Sequence, residues 1–169
     1  MFITAKYKVP FFALLCLAAV TLFFNSCKKD NGDTLAYFLT NGKWTLASVT
    51  VLHYVGDTQG KTDTLNATCA ADQVYIFNAD GTCSYSNYHC ITQNSSGTWN
   101  VDQDNLTLSC NMSAQDTSKG NKVTVKAFQA ALIDNLGQYS LVLKTGDIQA
   151  YYKATTVRTI TRYGFVHSR

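Results

Sequence analysis

Cysteines are the residues of this 169-residue chain with the greatest capacity for covalent chemistry, and the chain has 6 of them. Four lie in its central part, at Cys69, Cys83, Cys90 and Cys110. In an oxidising compartment such a set forms two disulfides, in one of three connectivities. Together with His89 the same thiols would offer metal ligands, but thiolate sites usually contain close Cys-x-x-Cys pairs, which this chain lacks. The spacing therefore favours two disulfides and no metal.

Other groups capable of catalysis are few. The chain has 3 histidines, at His53, His89 and His167, and 11 acidic residues, all of them aspartates. Most of these aspartates lie in turn segments, where Asp bonds to its own backbone. The sequence contains no Gly-x-Ser-x-Gly turn, phosphate-binding glycine loop or His-x-x-x-His pair. We therefore predict a protein without catalytic residues or cofactors, and not an enzyme.

The N-terminal segment explains why the thiols are expected to be oxidised. Lys6 and Lys8 precede an apolar run from Val9 to Phe24. A charged segment followed by an apolar one is typical of a secretory signal, and this run is shorter than the roughly 20 residues of a membrane-spanning helix. Residues 1–26 are therefore predicted to be a signal peptide that is removed on export.

The end of this signal, Phe24-Asn25-Ser26-Cys27, resembles the lipobox of bacterial lipoproteins. In that family a small residue precedes a cysteine that is acylated and becomes the new N-terminus. Ser26 and Cys27 match those two positions, whereas Phe24 and Asn25 depart from the usual residues. The resemblance implies that lipid on Cys27 anchors the chain to a membrane. The alternative is an ordinary cleaved signal in which Cys27 is simply the first mature cysteine.

The mature chain is long enough for one domain with its own core. Because Lys6 and Lys8 leave with the signal, the formal net charge of +3 falls to +1. No basic block remains, so nucleic acid is not a predicted partner. Residues 27–40 are predicted to form a polar tether and a short helix, with Asp33 as N-cap and Asn41-Gly42 as the stop.

From Lys43 onward the sequence is typical of short strands joined by Gly, Asn and Asp turns. Leu108 and Cys110 alternate with Thr107 and Ser109, which indicates one buried and one solvated face. This pattern predicts an all-β, up-and-down antiparallel barrel of about eight strands over residues 41–155. Residues 156–169 are a C-terminal tail that forms a last strand, a capping segment or a frayed end. The predicted strands are 43–54, 73–77, 82–89, 97–101, 106–110, 122–133, 138–144 and 148–154, with 55–68 a long loop containing a weak strand near 62–65.

Three sequence segments resemble the lipocalin superfamily, and in particular the lipocalin-like domains of Bacteroidetes lipoproteins. They are Asn-Gly-Lys-Trp at 41–44, Asp-Gln-Val-Tyr-Ile-Phe-Asn-Ala-Asp-Gly-Thr at 72–82, and Ser-Gly-Thr-Trp-Asn-Val at 96–101. The resemblance covers roughly residues 40–155. It implies that Gly42 and Trp44 open the first strand, with Trp44 closing one end of the core. In lipocalins an arginine near the last strand often packs on this tryptophan; Arg158 is the nearest candidate, and we do not assign it that role.

The resemblance also implies a disulfide pairing. It would join Cys69 to Cys90, which leaves Cys83 with Cys110. Cys83 is expected across a hairpin from about Phe77, and Cys110 is in line with Leu108, so both would share a face with core residues.

The interior of an eight-stranded barrel is either filled by side chains or wide enough for one small ligand. A calyx of this kind would bind a small hydrophobic or amphipathic molecule. The alternative function is a filled barrel that recognises an envelope protein or glycan through loops such as 55–68. The residues expected to face inward are Trp44, Leu46, Phe77, Tyr85, Trp99, Leu108, Val125 and Tyr151.

Two further expectations follow from the resemblance to Bacteroidetes lipoproteins. Asp33-Thr34-Leu35 and Asp63-Thr64-Leu65 match the O-glycosylation pattern of these bacteria, and Thr64 is the better candidate because it lies in the predicted exposed loop. The protein is expected to be lipid-anchored in the cell envelope, at the outer membrane, with the periplasmic and surface faces both open.

Overall fold

The computed structural model describes residues 31–65 and 67–168, with side chains from Thr34 onward. The predicted signal peptide and Cys27 lie outside these residues. A helix, α1 (Asn31–Thr40), precedes the strands, beginning earlier than predicted and ending at Asn41-Gly42 as predicted. Among the described residues, no helix has the length and apolar character required to cross a bilayer.

Strands account for most of the remaining described chain. A short 3-10 helix (Tyr88–Cys90) lies between the fourth and fifth of them. The strands are β1 (Lys43–Val55), β2 (Thr58–Leu65), β3 (Val74–Phe77), β4 (Thr82–Ser86), β5 (Asn94–Asp102), β6 (Thr107–Ser118), β7 (Asn121–Lys126), β8 (Ala131–Leu136), β9 (Ser140–Gly146) and β10 (Val157–Ser168).

Eight of these strands close into an antiparallel barrel, in the order β1-β3-β4-β5-β6-β8-β9-β10. The seam between first and last strand runs from the pair Lys43 and Ser168 to the pair Val55 and Val157. β2 and β7 are hairpin extensions that pair only with β1 and β6. The predicted fold class, an up-and-down barrel with a short N-terminal helix, is therefore confirmed.

The up-and-down connectivity gives the barrel two distinct ends. The basal end consists of α1 and the turns 78–81, 103–106 and 137–139. The distal end consists of the turns 56–57 and 119–120 and the loop 147–156. The ring strands β1, β6, β9 and β10 join one end to the other.

Alternation along the strands decides which side chains enter the core, since successive residues of a strand point to opposite faces. In β6, Leu108, Cys110, Met112 and Ala114 are buried between exposed neighbours. The register places Cys83 opposite Phe77, as the sequence predicted. These buried residues belong to one continuous core.

The C-terminal part differs from the prediction. Residues 148–154 were expected to form a strand, but they belong to the distal loop, which follows Gly146 with its positive φ of 93°. Val157–Ser168 forms β10 instead, so the barrel extends beyond residue 155 and takes its closing strand from the predicted tail. Of the three alternatives for 156–169, the last strand is the one observed.

Two other segments also differ. The predicted single strand 122–133 consists of β7 and β8, because the chain turns at residues 127–130, where Phe128 has a positive φ of 54° and enters the core. The loop predicted over 55–68 contains the complete strand β2.

Trp44 closes the basal end of the core, as the resemblance implied. Its side chain is fully buried, and its Nε1 donates a hydrogen bond to the Leu39 carbonyl at 2.9 Å. Gly42 has a φ of 121°, and a Cβ at this position would overlap the His167 ring. A glycine is therefore required two residues before Trp44.

Candidate functional site

The predicted lining residues fall into three groups. Trp44, Leu46, Phe77, Tyr85 and Leu108 are buried in the core. Trp99 and Val125 are partly buried and pack against it from its edge. Tyr151 is 93% exposed in the distal loop, so its predicted inward position is wrong. The adjacent Tyr152 favoured a strand, but the structure has no strand at residues 148–154.

Aromatic rings occupy the centre of the barrel. The Tyr75 ring lies 4.1 Å from that of Phe77, 5.2 Å from that of Tyr85 and 5.2 Å from that of Phe128. Phe165 from β10 approaches the same group, at 6.3 Å from Tyr75. Burial raises the pKa of Tyr75 and of Tyr85 far above the ordinary value, so both phenols stay neutral. The inward side chains therefore pack against one another.

The clefts of the described chain lie around this core. Two of them lie at the basal end: one of about 440 Å³ between α1 and β5, and one of about 400 Å³ beside Gly42, Tyr139 and His167. A cleft in the barrel wall, between Leu46, Val49, Leu65 and Gln73, has a volume of about 180 Å³. Ligand pockets for drug-sized molecules usually measure about 300–1,000 Å³, so this wall cleft is below the usual range.

A disulfide joins Cys69 to Cys90, as the resemblance implied. It links the segment before β3 to the 3-10 helix beside the wall cleft. Gln73 is buried next to it, where its Oε1 accepts a hydrogen bond from the His89 backbone at 3.0 Å and its Nε2 contacts the Cys69 sulfur at 3.3 Å. The bridge and Gln73 together fix the segment before β3 against the 3-10 helix.

The predicted second disulfide is not formed in the structure. Cys83 and Cys110 are buried free thiols whose sulfurs lie 3.2 Å apart, whereas a disulfide bond is about 2.0 Å long. A hydrogen bond with Cys110, and then burial, raise the pKa of Cys83, so this thiol stays protonated. The prediction that Cys83 and Cys110 are neighbours is therefore correct, but they are two thiols in contact inside the core and not a disulfide.

The three histidines lie apart from one another and contact different partners. His53 Nε2 lies 3.0 Å from Asp63 across the β1–β2 hairpin, and His89 Nδ1 lies 3.0 Å from Asp116. His167 contacts the Asn41 carbonyl at the basal end. Within residues 31–65 and 67–168, no three His, Cys or Asp side chains are grouped so that they could hold a metal ion.

An arginine clamp organises the distal end; we use this name for Arg158 with Tyr54, Tyr152, Gly56 and Asp57. The Arg158 side chain is only 6% exposed, and its Nη2 donates a hydrogen bond to the Gly56 carbonyl at 2.8 Å. Its guanidinium lies 3.5 Å from the Tyr152 ring and 5.2 Å from the Tyr54 ring. The Tyr152 hydroxyl donates to Asp57, which raises the pKa of the phenol.

The clamp connects the distal loop to the β1–β2 turn. The residues of the clamp come from β1, the turn 56–57, the loop 147–156 and β10. Cation–π contacts are strongest where the cation is desolvated, as it is here. The loop is therefore held by Tyr152, while the preceding Tyr151 points away into solvent.

Exposed apolar side chains surround this clamp. Besides Tyr151, Val157 is 72% exposed and Val55 is 53% exposed, and the two valines are paired across the barrel seam. Exposed apolar side chains that lie next to one another, as the two valines do, commonly mark an interaction surface. We call Tyr151, Val55 and Val157 the distal patch.

Comparison with known proteins assigns the family. The profile described as Domain of unknown function (DUF5004) matches residues 28–151, which is more than half of the chain. The chain belongs to the DUF5004 family. No curated protein matches it in sequence.

The DUF5004 match extends from the segment before α1 to the distal loop. It contains seven of the eight ring strands, and β10 lies outside it. A DUF5004 domain that closes into an eight-stranded antiparallel barrel fits a lipocalin-like fold. Arg158 is not the arginine that packs on Trp44 in lipocalins, because it lies at the opposite end; the ring beside Trp44 is that of His167, at 5.2 Å.

Two modification sites are predicted for this DUF5004 protein, lipidation at Cys27 and O-glycosylation at Thr64. Cys27 lies outside the described residues. Thr64 is exposed on β2, an edge strand that pairs only with β1, and not in a loop as expected. Its accessibility agrees with the prediction of O-glycosylation, which stays a prediction.

Sequence reasoning missed the arginine clamp, although one signal for it was present. Arg158 and Ile160 are buried on one face of β10, whereas Tyr163 and Phe165 lie on the other face, in the core. An arginine that shares a strand face with a nearby isoleucine, two residues away, is a signal for a buried cation that needs aromatic or carbonyl partners. Tyr54 and Tyr152 were the available partners, but their proximity depends on pairing the first strand with the last.

Arg158→Ala is expected to lower the free energy of unfolding by about 2 kcal/mol. The variant removes the buried guanidinium from its tyrosine rings and from the Gly56 carbonyl, and contacts of these kinds contribute about 1–2 kcal/mol each before desolvation is subtracted. Urea denaturation followed by circular dichroism measures the change. Arg162→Ala on the same strand is the control, because Arg162 is partly exposed and lies 3.9 Å from Asp134; it should change stability by less than about 0.5 kcal/mol. Equal effects would show that the clamp adds nothing.

Proposed function

We propose that this protein is an exported, lipid-anchored envelope lipoprotein whose filled barrel binds a protein or glycan partner through its distal end. The observation that carries the proposal is the packing of the interior by aromatic side chains. A filled core leaves the surface as the place for recognition, and the distal patch is an ordered apolar part of that surface.

The chemistry of the distal patch supports binding of a macromolecule. Tyrosine is enriched among residues that dominate binding energy at interfaces, because its ring offers a large contact area and its hydroxyl a hydrogen bond. Tyr151 is presented by a loop that Tyr152 and Arg158 hold in place. A fixed loop loses little conformational entropy when a partner binds.

A calyx for a small hydrophobic ligand is the second candidate. The wall cleft beside Leu46, Val49 and Gln73 favours it, since this cleft borders the core at the point where β2 departs from the ring. Native mass spectrometry of the protein purified from an oxidising compartment distinguishes the two candidates. A dissociable small molecule bound to the barrel would favour the calyx.

Tyr151→Ser is expected to weaken partner binding by about 30-fold, which corresponds to the roughly 2 kcal/mol of an interface hot spot. A photo-crosslinking residue at position 157 in cells identifies the partner, and titration of that partner with purified protein measures the affinity. Tyr139→Ser is the matched control, because Tyr139 is a similarly exposed tyrosine at the basal end. Equal affinity of the Tyr151→Ser variant and the unmodified protein would exclude the distal patch.

The anchor is tested separately. Cys27→Ser should release the protein from the membrane fraction to the soluble fraction on cell fractionation. A Cys27→Ser variant that remains in the membrane fraction would contradict lipid anchoring, whatever the partner.

A further inference from the structure

We infer that the basal end of the barrel is a membrane-docking surface, which rests against the lipid interface while the distal end points away. This inference rests on the lipid anchor proposed at Cys27. It adds a second, non-covalent membrane contact and a fixed orientation.

The chain between Cys27 and α1 is short. Only residues 28–30 separate Cys27 from Asn31, the first residue of α1. Covalent geometry limits the distance between the Cα atoms of Cys27 and Asn31 to about 14 Å. A lipid on Cys27 therefore keeps the start of α1 close to the membrane surface.

β1 leads from α1 to the opposite end of the barrel. α1 lies at the basal end, where Leu39 is buried and its carbonyl accepts the hydrogen bond from Trp44. β1 then runs through 13 residues to the distal end, a length of about 40 Å for an extended strand. The anchor can therefore hold the basal end at the membrane, and the distal patch then lies far from it.

The basal end exposes four large apolar or aromatic side chains. Tyr37 on α1 is 61% exposed, and Tyr139 in the β8–β9 turn is 64% exposed. Leu106 in the β5–β6 turn and Val166 near the end of β10 are also exposed. Tyrosines favour the membrane interface, where the ring contacts acyl chains and the hydroxyl contacts headgroups. We call these four residues the basal ring.

The basal clefts fit the same partner. One cleft of about 440 Å³ lies between α1 and the end of β5 and is lined by Leu35, Tyr37, Trp99 and Val101, among others. A second, of about 400 Å³, is lined by Tyr139 and His167 on the other side of Gly42. The first cleft offers apolar and aromatic surface beside α1, and the second presents the Tyr139 and His167 rings next to the turn that follows the helix.

The charge of the basal turns indicates which lipids are suitable. A hydrogen bond from Thr82 lowers the pKa of Asp80, and one from Asn105 lowers that of Asp102, so both carboxylates are ionised at neutral pH. Anionic headgroups would repel them. Among the described residues of the basal turns and strand ends, Asp80, Asp102 and Asp104 outnumber Lys43, so we assign the basal ring to a zwitterionic lipid surface.

Tryptophan quenching in vesicles tests the orientation. The lipidated full-length protein is reconstituted into phosphatidylcholine vesicles whose acyl chains carry bromine, a quencher of tryptophan emission. Tyr139→Trp places the reporter on the basal ring, and Thr58→Trp places a matched reporter at an exposed distal position. The emission of the unmodified protein, which contains Trp44 and Trp99, is subtracted.

The basal reporter should lose emission and shift to shorter wavelength in brominated vesicles, whereas the distal reporter should be unchanged. Adding Tyr37→Ser and Leu106→Ser to the basal reporter should restore its emission while the protein stays in the vesicle fraction. Protein that sediments with vesicles but shows no quenching at either position, or quenching at the distal one, would overturn the docking surface and leave the anchor intact. Protein that does not sediment with vesicles, or a Cys27→Ser variant that still does, would overturn the anchor itself.

Discussion

Trp44→Ala is expected to lower the free energy of unfolding by about 3–5 kcal/mol, the range for removing a large aromatic side chain from a core. Trp44 is fully buried between α1 and the strands, so the variant leaves a cavity at the basal end. It also leaves the Leu39 carbonyl without the hydrogen bond that Nε1 donates. Urea denaturation followed by far-ultraviolet circular dichroism measures the loss without using tryptophan fluorescence.

Trp99→Ala is a closely matched control for this variant. Trp99 Nε1 also donates to a backbone carbonyl, that of Asn78, at the same distance of 2.9 Å. Its ring, however, lies at the edge of the core and is only partly buried. Trp99→Ala should therefore cost about half as much as Trp44→Ala or less. A Trp44→Ala variant no less stable than Trp99→Ala would contradict the basal plug.

Removal of the Cys69–Cys90 disulfide by Cys69→Ser together with Cys90→Ser is expected to lower the free energy of unfolding by about 3 kcal/mol. The two cysteines are 21 residues apart, and a bridge closing a loop of this size restricts the unfolded chain by about that amount. Chemical denaturation of the oxidised protein and of the double variant gives the difference.

A reducing agent provides the control for this prediction. It should lower the stability of the unmodified protein by the same amount as the double substitution. It should leave the double variant unaffected, because Cys83 and Cys110 are free thiols. A double variant that loses stability on reduction would show that Cys83 and Cys110 become bonded under oxidising conditions.

Local sequence patterns were sufficient for much of the barrel. Strands β1, β3, β5 and β9 were located to within a few residues, because alternation and Asn, Asp or Gly turns coincide there. Gly42 and Trp44 were assigned correctly from the resemblance, and the geometry explains both residues. Both residues can be recognised from the segment 41–44 alone, although their geometry depends on His167 near the C-terminal end of the domain.

The errors occurred where local propensity and tertiary structure disagree. The segment 148–154 contains two adjacent tyrosines, which favour a strand, but Tyr152 instead packs on Arg158. The turn at 127–130 has no glycine or asparagine to mark it, and Phe128 adopts a positive φ of 54° within the core. The sequence does not decide between a strand and a tail for β10, because Arg158 and Arg162 obscure its alternation.

The candidate site was less predictable than the fold for the same reason. Arg158 and Gly56 are 102 residues apart in sequence, and only closure of the barrel brings them together. The distal patch depends equally on the pairing of Val55 with Val157. No local pattern contains that information.

The seam between β1 and β10 also determines when this protein can fold. Its two strands come from opposite ends of the domain, so the contact order is high and the entropy of closing the longest loop must be overcome before the ring is complete. A chain that is exported from its N-terminus delivers β1 first and β10 last. If the protein is exported as proposed, closure has to wait until the whole domain has crossed the membrane, and the edges of β1 and β9 that face the seam stay unpaired until then.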